Sequence, residues 1–223
     1  QYLTLRGKPI LSYTLDVFER CSLIDEIILV INKNEFKICR QQVLNPHNYS
    51  KIKLVEGGST RQRSVYEGLK KVSPQTDIVL VHDGARPLIK EDIIVQSIYE
   101  TIQHKATIVA VPAKNTIKVV EKDGFVEYTP NRDFLFEIQT PQTFTYDLLL
   151  DAHEKAIQED VEGTDDALFE RCVPAVFSEP QVDEVSFTLE DALVAKDSTG
   201  AEGRSAQAGN SANVFAVEFL PGQ

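Results

Sequence analysis

The sequence has no methionine, no tryptophan and only three cysteines, and its 23 Lys+Arg face 34 Asp+Glu in 223 residues, a net charge of −11. So few basic side chains exclude a general nucleic-acid binder, which needs a cationic surface to neutralise phosphates. A small phosphorylated ligand stays possible, because a few local cations and backbone amides suffice for it. Cys21, Cys39 and Cys172 are odd in number and show no C-x-x-C spacing, which favours reduced thiols and a cytoplasmic setting over a disulfide scaffold. The longest apolar runs, 27–31 and 78–81, fall far short of the roughly 20 residues of a membrane helix, so no membrane partner is expected. No basic-then-apolar leader opens the sequence, which again points to the cytoplasm. With methionine absent, the natural start is expected upstream of Gln1.

What is present is globular: 42% hydrophobic and 26% charged residues, with enough length for one ordinary α/β domain or two small ones. Strand-like and helix-like stretches alternate. Residues 9–21 read as a helix with Pro9 in its first turn and Leu11, Leu15 and Phe18 on one face; 26–32 (EIILVIN) is a β-branched run of strand length. Helical spacing recurs at 35–43, 61–72, 90–104 and 146–158, and strand patterns at 51–55, 77–81, 106–111 and 136–139. This alternation predicts a mostly parallel sheet with helices on both faces. Between 116–120 and 125–129 lies Lys122-Asp123-Gly124, a hairpin signal, so a β-arm is expected to project over about residues 112–135. The domain is expected over 1–197, with a short strand and helix in 186–196. Residues 198–212 (STGAEGRSAQAGNSA) are rich in Gly, Ala and Ser, and 198–223 reads as a tail.

Ligands of open parallel sheets bind at the carboxyl ends of the strands, and the unusual residues follow strands: GGSTRQRS (57–64), HDGARP (82–87), PAKNTIK (112–118) and TPQTF (140–144). Gly57 and Gly58 allow positive φ and a close ligand approach. Ser64 lies near a helix start, where free amides favour an anion, or else it caps that helix. Asp83, directly after a buried strand, suits a Mg²⁺ ion shared with phosphate oxygens, and Arg86 offers a planar fork to phosphate. In the alternative, Asp83 caps the next turn and Arg86 pairs with it. His82 reads as a hydrogen-bonded structural residue. Thr116, Arg132, Thr140 and Thr164 complete the polar set, Thr164 doubling as an N-cap. No G-x-S-x-G, no Walker-type loop and no His/Cys cluster is present, which leaves electrostatic handling of phosphates rather than covalent or P-loop chemistry.

VEGGSTRQRSVYEGL, VLVHDGARPLI, VPAKNTIK, TPNRDFLFEIQTPQTF and GTDDALFER, in that order, resemble the 2-C-methyl-D-erythritol 4-phosphate cytidylyltransferase family over residues 1–171. The opening QYLTLRGKPIL resembles the segment just after that family's nucleotide loop, a glycine-rich basic loop that lies before the position of Gln1. VDEVSFTLEDALVAK matches a segment where the family usually carries a Lys and this chain has Val185, and Asn115 stands where the family commonly has Asp. The resemblance implies a Rossmann-like nucleotidyltransferase sheet and Mg²⁺-dependent transfer of a cytidylyl group from CTP to the sugar-alcohol phosphate, with release of pyrophosphate. It also implies a homodimer whose arms clasp. By the same resemblance Gly57, Gly58, Ser59 and Ser64 meet the cytidine, Asp83 holds ribose or metal, and Gly84 lies close to the nucleotide. Arg86, Thr116, Arg132, Thr140 and Thr164 surround the sugar phosphate, with Arg132, Thr116 and Asp83 nearest the chemistry. Two other readings share the motifs: a ribitol-phosphate cytidylyltransferase, and a non-catalytic nucleotide-binding protein of the same fold.

Overall fold

In the computed structural model, residues 1–73, 75–161, 176–178 and 214–219 are described. The chain opens with a two-residue hairpin, β1 (Thr4–Leu5) and β2 (Lys8–Pro9), turned by Arg6 and Gly7, both at positive φ. Pro9 stands just before α1 (Ile10–Arg20), at its N-cap position and without a capping bond, not within its first turn. Leu11, Leu15 and Phe18 of the helix are fully buried as their spacing requires. The order continues with β3 (Glu26–Ile31), α2 (Phe36–Cys39), β4 (Ile52–Glu56), α3 (Arg61–Leu69), β5 (Ile78–Asp83), α4 (Glu91–His104) and β6 (Ala106–Pro112). After these come β7 (Val119–Val120), β8 (Val126–Tyr128), β9 (Phe136–Thr145), α5 (Tyr146–Gln158), β10 (Val176–Ser178) and β11 (Val214–Phe219).

Seven strands form one sheet in the order β10-β6-β9-β5-β11-β3-β4. Side chains of a strand alternate between faces, and here both faces are apolar. Ile27, Leu29, Ile31, Ile78 and Leu80 join α1 and α4 in one core, around Leu11, Phe18, Ile94 and Ile98. Ile28, Val30, Val79 and Val81 point the other way, to Val65 and Leu69 of α3, Leu149 of α5 and Phe144. The α/β sheet with helices on both faces is therefore as expected, and β7 and β8 form a separate two-stranded antiparallel arm.

Two features depart from the sequence expectation. First, β9 runs antiparallel to both neighbours, pairing Val81 with Gln142 and Val111 with Glu137. The arm leaves the sheet at the carboxyl edge of β6, so the chain re-enters there and must run back. Thr140 thus reaches the rim from within β9, not from a loop after a strand spanning only 136–139. Second, residues 214–219, read as tail, form β11 in the middle of the sheet, parallel to β3 on one side and β5 on the other. Its last residue, Phe219, pairs with both Val30 and Asp83. VFAVEF has the apolar, β-branched composition of a central strand. The Gly/Ser-rich stretch before it conceals that signal. The expected helix and strand over 186–196, and Thr164, lie outside the described residues.

Candidate active site

The carboxyl ends of β4, β5, β6 and β11 and the first half of β9 share one edge of the sheet. The polar segments 57–64, 82–87 and 112–118 follow strands there. Of 140–144 only Thr140 is at that edge, because 141–144 run down β9 to the amino ends of β5 and β6. Beyond β4, Gly57 N–H donates to Ile31 O at 2.9 Å and keeps the chain flush with the sheet. The Ser64 hydroxyl, on the first turn of α3, is buried and turned back onto the loop. It accepts from Gly58 N–H at 3.0 Å and donates toward Thr60 O at 2.9 Å. The cap of α3 is Thr60, which accepts from Arg63 N–H at 3.2 Å, and not Ser64.

The glycines are needed for a reason other than positive φ, which neither Gly57 nor Gly58 adopts. A Cβ on Gly57 would sit 2.9 Å from Ser64 Oγ, and one on Gly58 would lie 2.5 Å from Arg63 Cβ and 2.9 Å from its backbone carbonyl carbon. The first turn of α3 is packed directly on this loop. Ser59 stays exposed beside them. A strand-to-helix loop of this kind, held rigid from inside, presents main-chain groups rather than side chains to a ligand.

Beyond β5, Asp83 and Arg86 pair: Arg86 Nε donates to Asp83 Oδ2 at 2.9 Å, and Arg86 N–H closes a turn on Asp83 O, also at 2.9 Å. A second guanidinium nitrogen donates to Gln139 Oε1 of β9. Thr140 Oγ1 accepts from Asp83 N–H at 3.3 Å, and Thr14 of α1 donates to Gly84 O at 2.9 Å. Asp83, Gly84, Arg86 and Thr140 are therefore one connected group, joined by Gln139, which the sequence reading did not single out. Beneath it His82 is fully buried. Burial lowers its pKa to about 4 against the opposing pull of its bond to the Arg86 carbonyl and of nearby Asp83, so the ring is neutral at physiological pH.

Arg132 and Thr116 belong to the arm. Arg132 opens a single helical turn at the arm's base and donates to Lys114 O at 3.1 Å, and Ala113 N–H closes that base on Leu135 O at 2.9 Å. Thr116 is exposed. Neither is bonded to the Asp83 group within this chain. The arm carries a run of bare apolar side chains, with Phe125 74% and Phe134 80% exposed beside Val120, Val126 and Tyr128.

The described residues contain no cluster of three or more His, Cys, Asp or Glu side chains that could hold a metal by themselves. A lone rim carboxylate is nevertheless what Mg²⁺ uses when phosphates and water supply its other ligands, so Asp83 fits that ion and no softer one. A hollow of about 500 Å³ lined by Asp25, Glu26, Ser50, Lys51, Lys53 and Ser73 lies at the opposite, amino edge of the sheet. It shares no residue with the rim.

The model of the family described as 2-C-methyl-D-erythritol 4-phosphate cytidylyltransferase matches residues 1–187. The chain belongs to that family. The enzyme of this name from Clostridioides difficile (strain 630) is 45% identical over 168 residues, covering 75% of this chain and 70% of that protein. The one from Geobacter metallireducens is 46% identical over 172 residues, covering 75% and 74%. Among solved structures, the 4-diphosphocytidyl-2C-methyl-D-erythritol synthase of Anaerococcus prevotii superposes with a TM-score of 0.75 at 35% identity, over 85% of each chain. The fold is thus the nucleotidyltransferase fold of the 2-C-methyl-D-erythritol 4-phosphate cytidylyltransferases, and β11 lies beyond the stretch matched by the family model. No helix among the described residues is long and apolar enough to cross a membrane.

Proposed function

We propose that this chain transfers the cytidylyl group of CTP to 2-C-methyl-D-erythritol 4-phosphate. An oxygen of the sugar-alcohol phosphate forms a bond to the α-phosphorus of CTP, the bond from that phosphorus to its bridging oxygen breaks, and pyrophosphate leaves. The observation that carries this reading is the bonded group Asp83–Arg86–Gln139–Thr140, standing on the same rim as the internally braced 57–64 loop in a chain of this family.

Each part suits a step that asks for positioning and positive potential rather than a nucleophile. The 57–64 loop offers main-chain donors and acceptors to the cytosine. Asp83 takes the ribose or one coordination position of Mg²⁺, with Gly84 close to the nucleotide. When bound, Mg²⁺ neutralises charge on the phosphates. Arg86 leaves its exposed pairing with Asp83 for a ligand phosphate at little cost, because such surface pairs contribute at most about 1 kcal/mol. Thr140, Thr116, Arg132 and Thr164 complete the polyol-phosphate side.

Arg132 and Thr116 are on the arm and not at the Asp83 group, which supports their service in a partner's site. An apolar arm of this exposure favours a homodimer in which arms cover each other. The reduced thiols Cys21 and Cys39, both buried, suit the cytoplasm. Pyrophosphate release is the test, with CTP and Mg²⁺ present and each sugar phosphate offered separately. Release with 2-C-methyl-D-erythritol 4-phosphate and not with ribitol 5-phosphate is expected. The reverse preference, or CTP binding without turnover on either, would give the function to one of the two alternative readings.

A further inference from the structure

His82 is sealed under the rim with 0% exposure, its ring tilted at 46° against Phe18 with centroids 5.1 Å apart. Its two nitrogens have different partners: Nε2 lies 3.4 Å from Arg86 O, and Nδ1 lies 2.9 Å from Thr140 Oγ1. Sealed from solvent with an uncharged carbonyl and an uncharged hydroxyl as its ring-nitrogen partners, the imidazole is neutral, and because a backbone carbonyl can only accept, its proton sits on Nε2. Nδ1 is then bare, and the Thr140 hydroxyl must donate to it. The same hydroxyl oxygen accepts from Asp83 N–H at 3.3 Å.

The proton on Thr140 is thereby used, and so is one lone pair of its oxygen. A single lone pair is left for anything that reaches this 8% exposed residue from the rim. Such a group can accept a hydrogen bond but cannot give one. A phosphate oxygen needs a donor, whereas a hydroxyl of a polyol can itself donate.

We propose that His82 is a positioning residue that fixes the Thr140 hydroxyl as an acceptor, so that Thr140 recognises a hydroxyl group of the polyol and not its phosphate. The proposal rests on the polyol-phosphate reading of the site for the identity of the ligand, while the tautomer and the bonding order rest on this chain alone. Through Arg86 O and Asp83 N–H the same ring also ties the 83–86 turn to β9.

Two experiments separate these parts. In ¹⁵N-resolved imidazole spectra of the free wild-type protein, His82 is expected as the neutral Nε2–H tautomer, and finding Nδ1–H overturns the proposal whatever the substrate proves to be. In steady-state kinetics, His82→Gln keeps a donor for Arg86 O and loses the acceptor for Thr140. A rise of about tenfold in KM for the polyol phosphate, with KM for CTP unchanged, is expected for it. His82→Asn restores an acceptor at the Nδ1 position and should recover most of that loss. Thr140→Val should match His82→Gln, and the double variant should be no worse than either. Equal damage from Asn and Gln, or additive losses in the double variant, would reduce His82 to packing. Absence of turnover in the wild type would count against the proposed function and would leave the spectroscopic result standing.

Discussion

Arg86 Nε and Asp83 Oδ2 meet at 2.9 Å across a single turn, and both side chains keep part of their surface in solvent. The pair is preformed, yet it is exposed enough for a phosphate or a cation to replace either half. This makes Asp83 the rim residue whose chemistry can be changed with least effect on the fold. Asp83→Asn keeps the turn, whose backbone bond from Arg86 N–H to Asp83 O does not involve the carboxylate. Stability should shift by no more than about 1 kcal/mol, while the Mg²⁺-dependent rate should fall on the order of 100-fold. Unfolding curves and pyrophosphate release measured side by side check both halves, and an unchanged rate would return Asp83 to a structural role.

Gly58→Ala places a methyl group within 3.0 Å of the Arg63 backbone, which cannot swing aside as a side-chain tip could. The loop or the first turn of α3 has to move, at an expected cost of about 1–3 kcal/mol. Affinity for CTP, read by calorimetry, should fall with it. Full CTP affinity in a variant of normal stability would show that the loop does not line the nucleotide.

His82 also sets a pH response. Its pKa in the folded protein, about 4, is below the ordinary 6.5, because burial disfavours the charged ring, with Asp83 and Arg86 as its charged neighbours. The unfolded chain therefore binds the extra proton between these values, and stability rises with pH through that window. The contribution is complete above pH 6.5 and is lost as pH falls toward 4, amounting to about 3 kcal/mol in all. Between pH 7 and pH 5, urea unfolding of the wild type should lose about 2 kcal/mol more than His82→Gln does. Equal losses would mean that the ring is not protonated on unfolding in this range.

β11 supplies the centre of the sheet, hydrogen-bonded along its length to β3 and β5. A chain ended at Ala212 would leave two apolar strands facing an empty slot. Loss of cooperative thermal unfolding and concentration-dependent association are expected. A monodisperse variant with the wild-type melting profile would show that the sheet does not need this strand.

The helices and strands of the first 160 residues were legible because their apolar spacing is local: Leu11, Leu15 and Phe18 along α1, and Ile27 to Ile31 along β3. Direction and pairing were less legible. The antiparallel course of β9 is fixed by where the arm leaves and rejoins the sheet, and the place of β11 by partners more than 130 residues away in sequence. Neither leaves a periodic trace. At the rim the residue types were readable and their reasons were not. Gly57 and Gly58 serve close packing instead of positive φ, and Ser64 braces the loop from inside instead of capping α3. The sequence alone leaves Asp83 and Arg86 as either metal and phosphate ligands or partners of each other. In the structure they are partners, in a pair exposed enough for a ligand to replace either half.

The most direct test of the site is a crystal structure with the cytidine diphosphate ester of the polyol bound. The cytosine is expected against the 57–64 loop, and the polyol beside Asp83, Arg86 and Thr140, with Arg132 arriving from the partner's arm. Product density elsewhere, above all in the hollow at the amino edge lined by Glu26 and Lys51, would contradict the site as drawn.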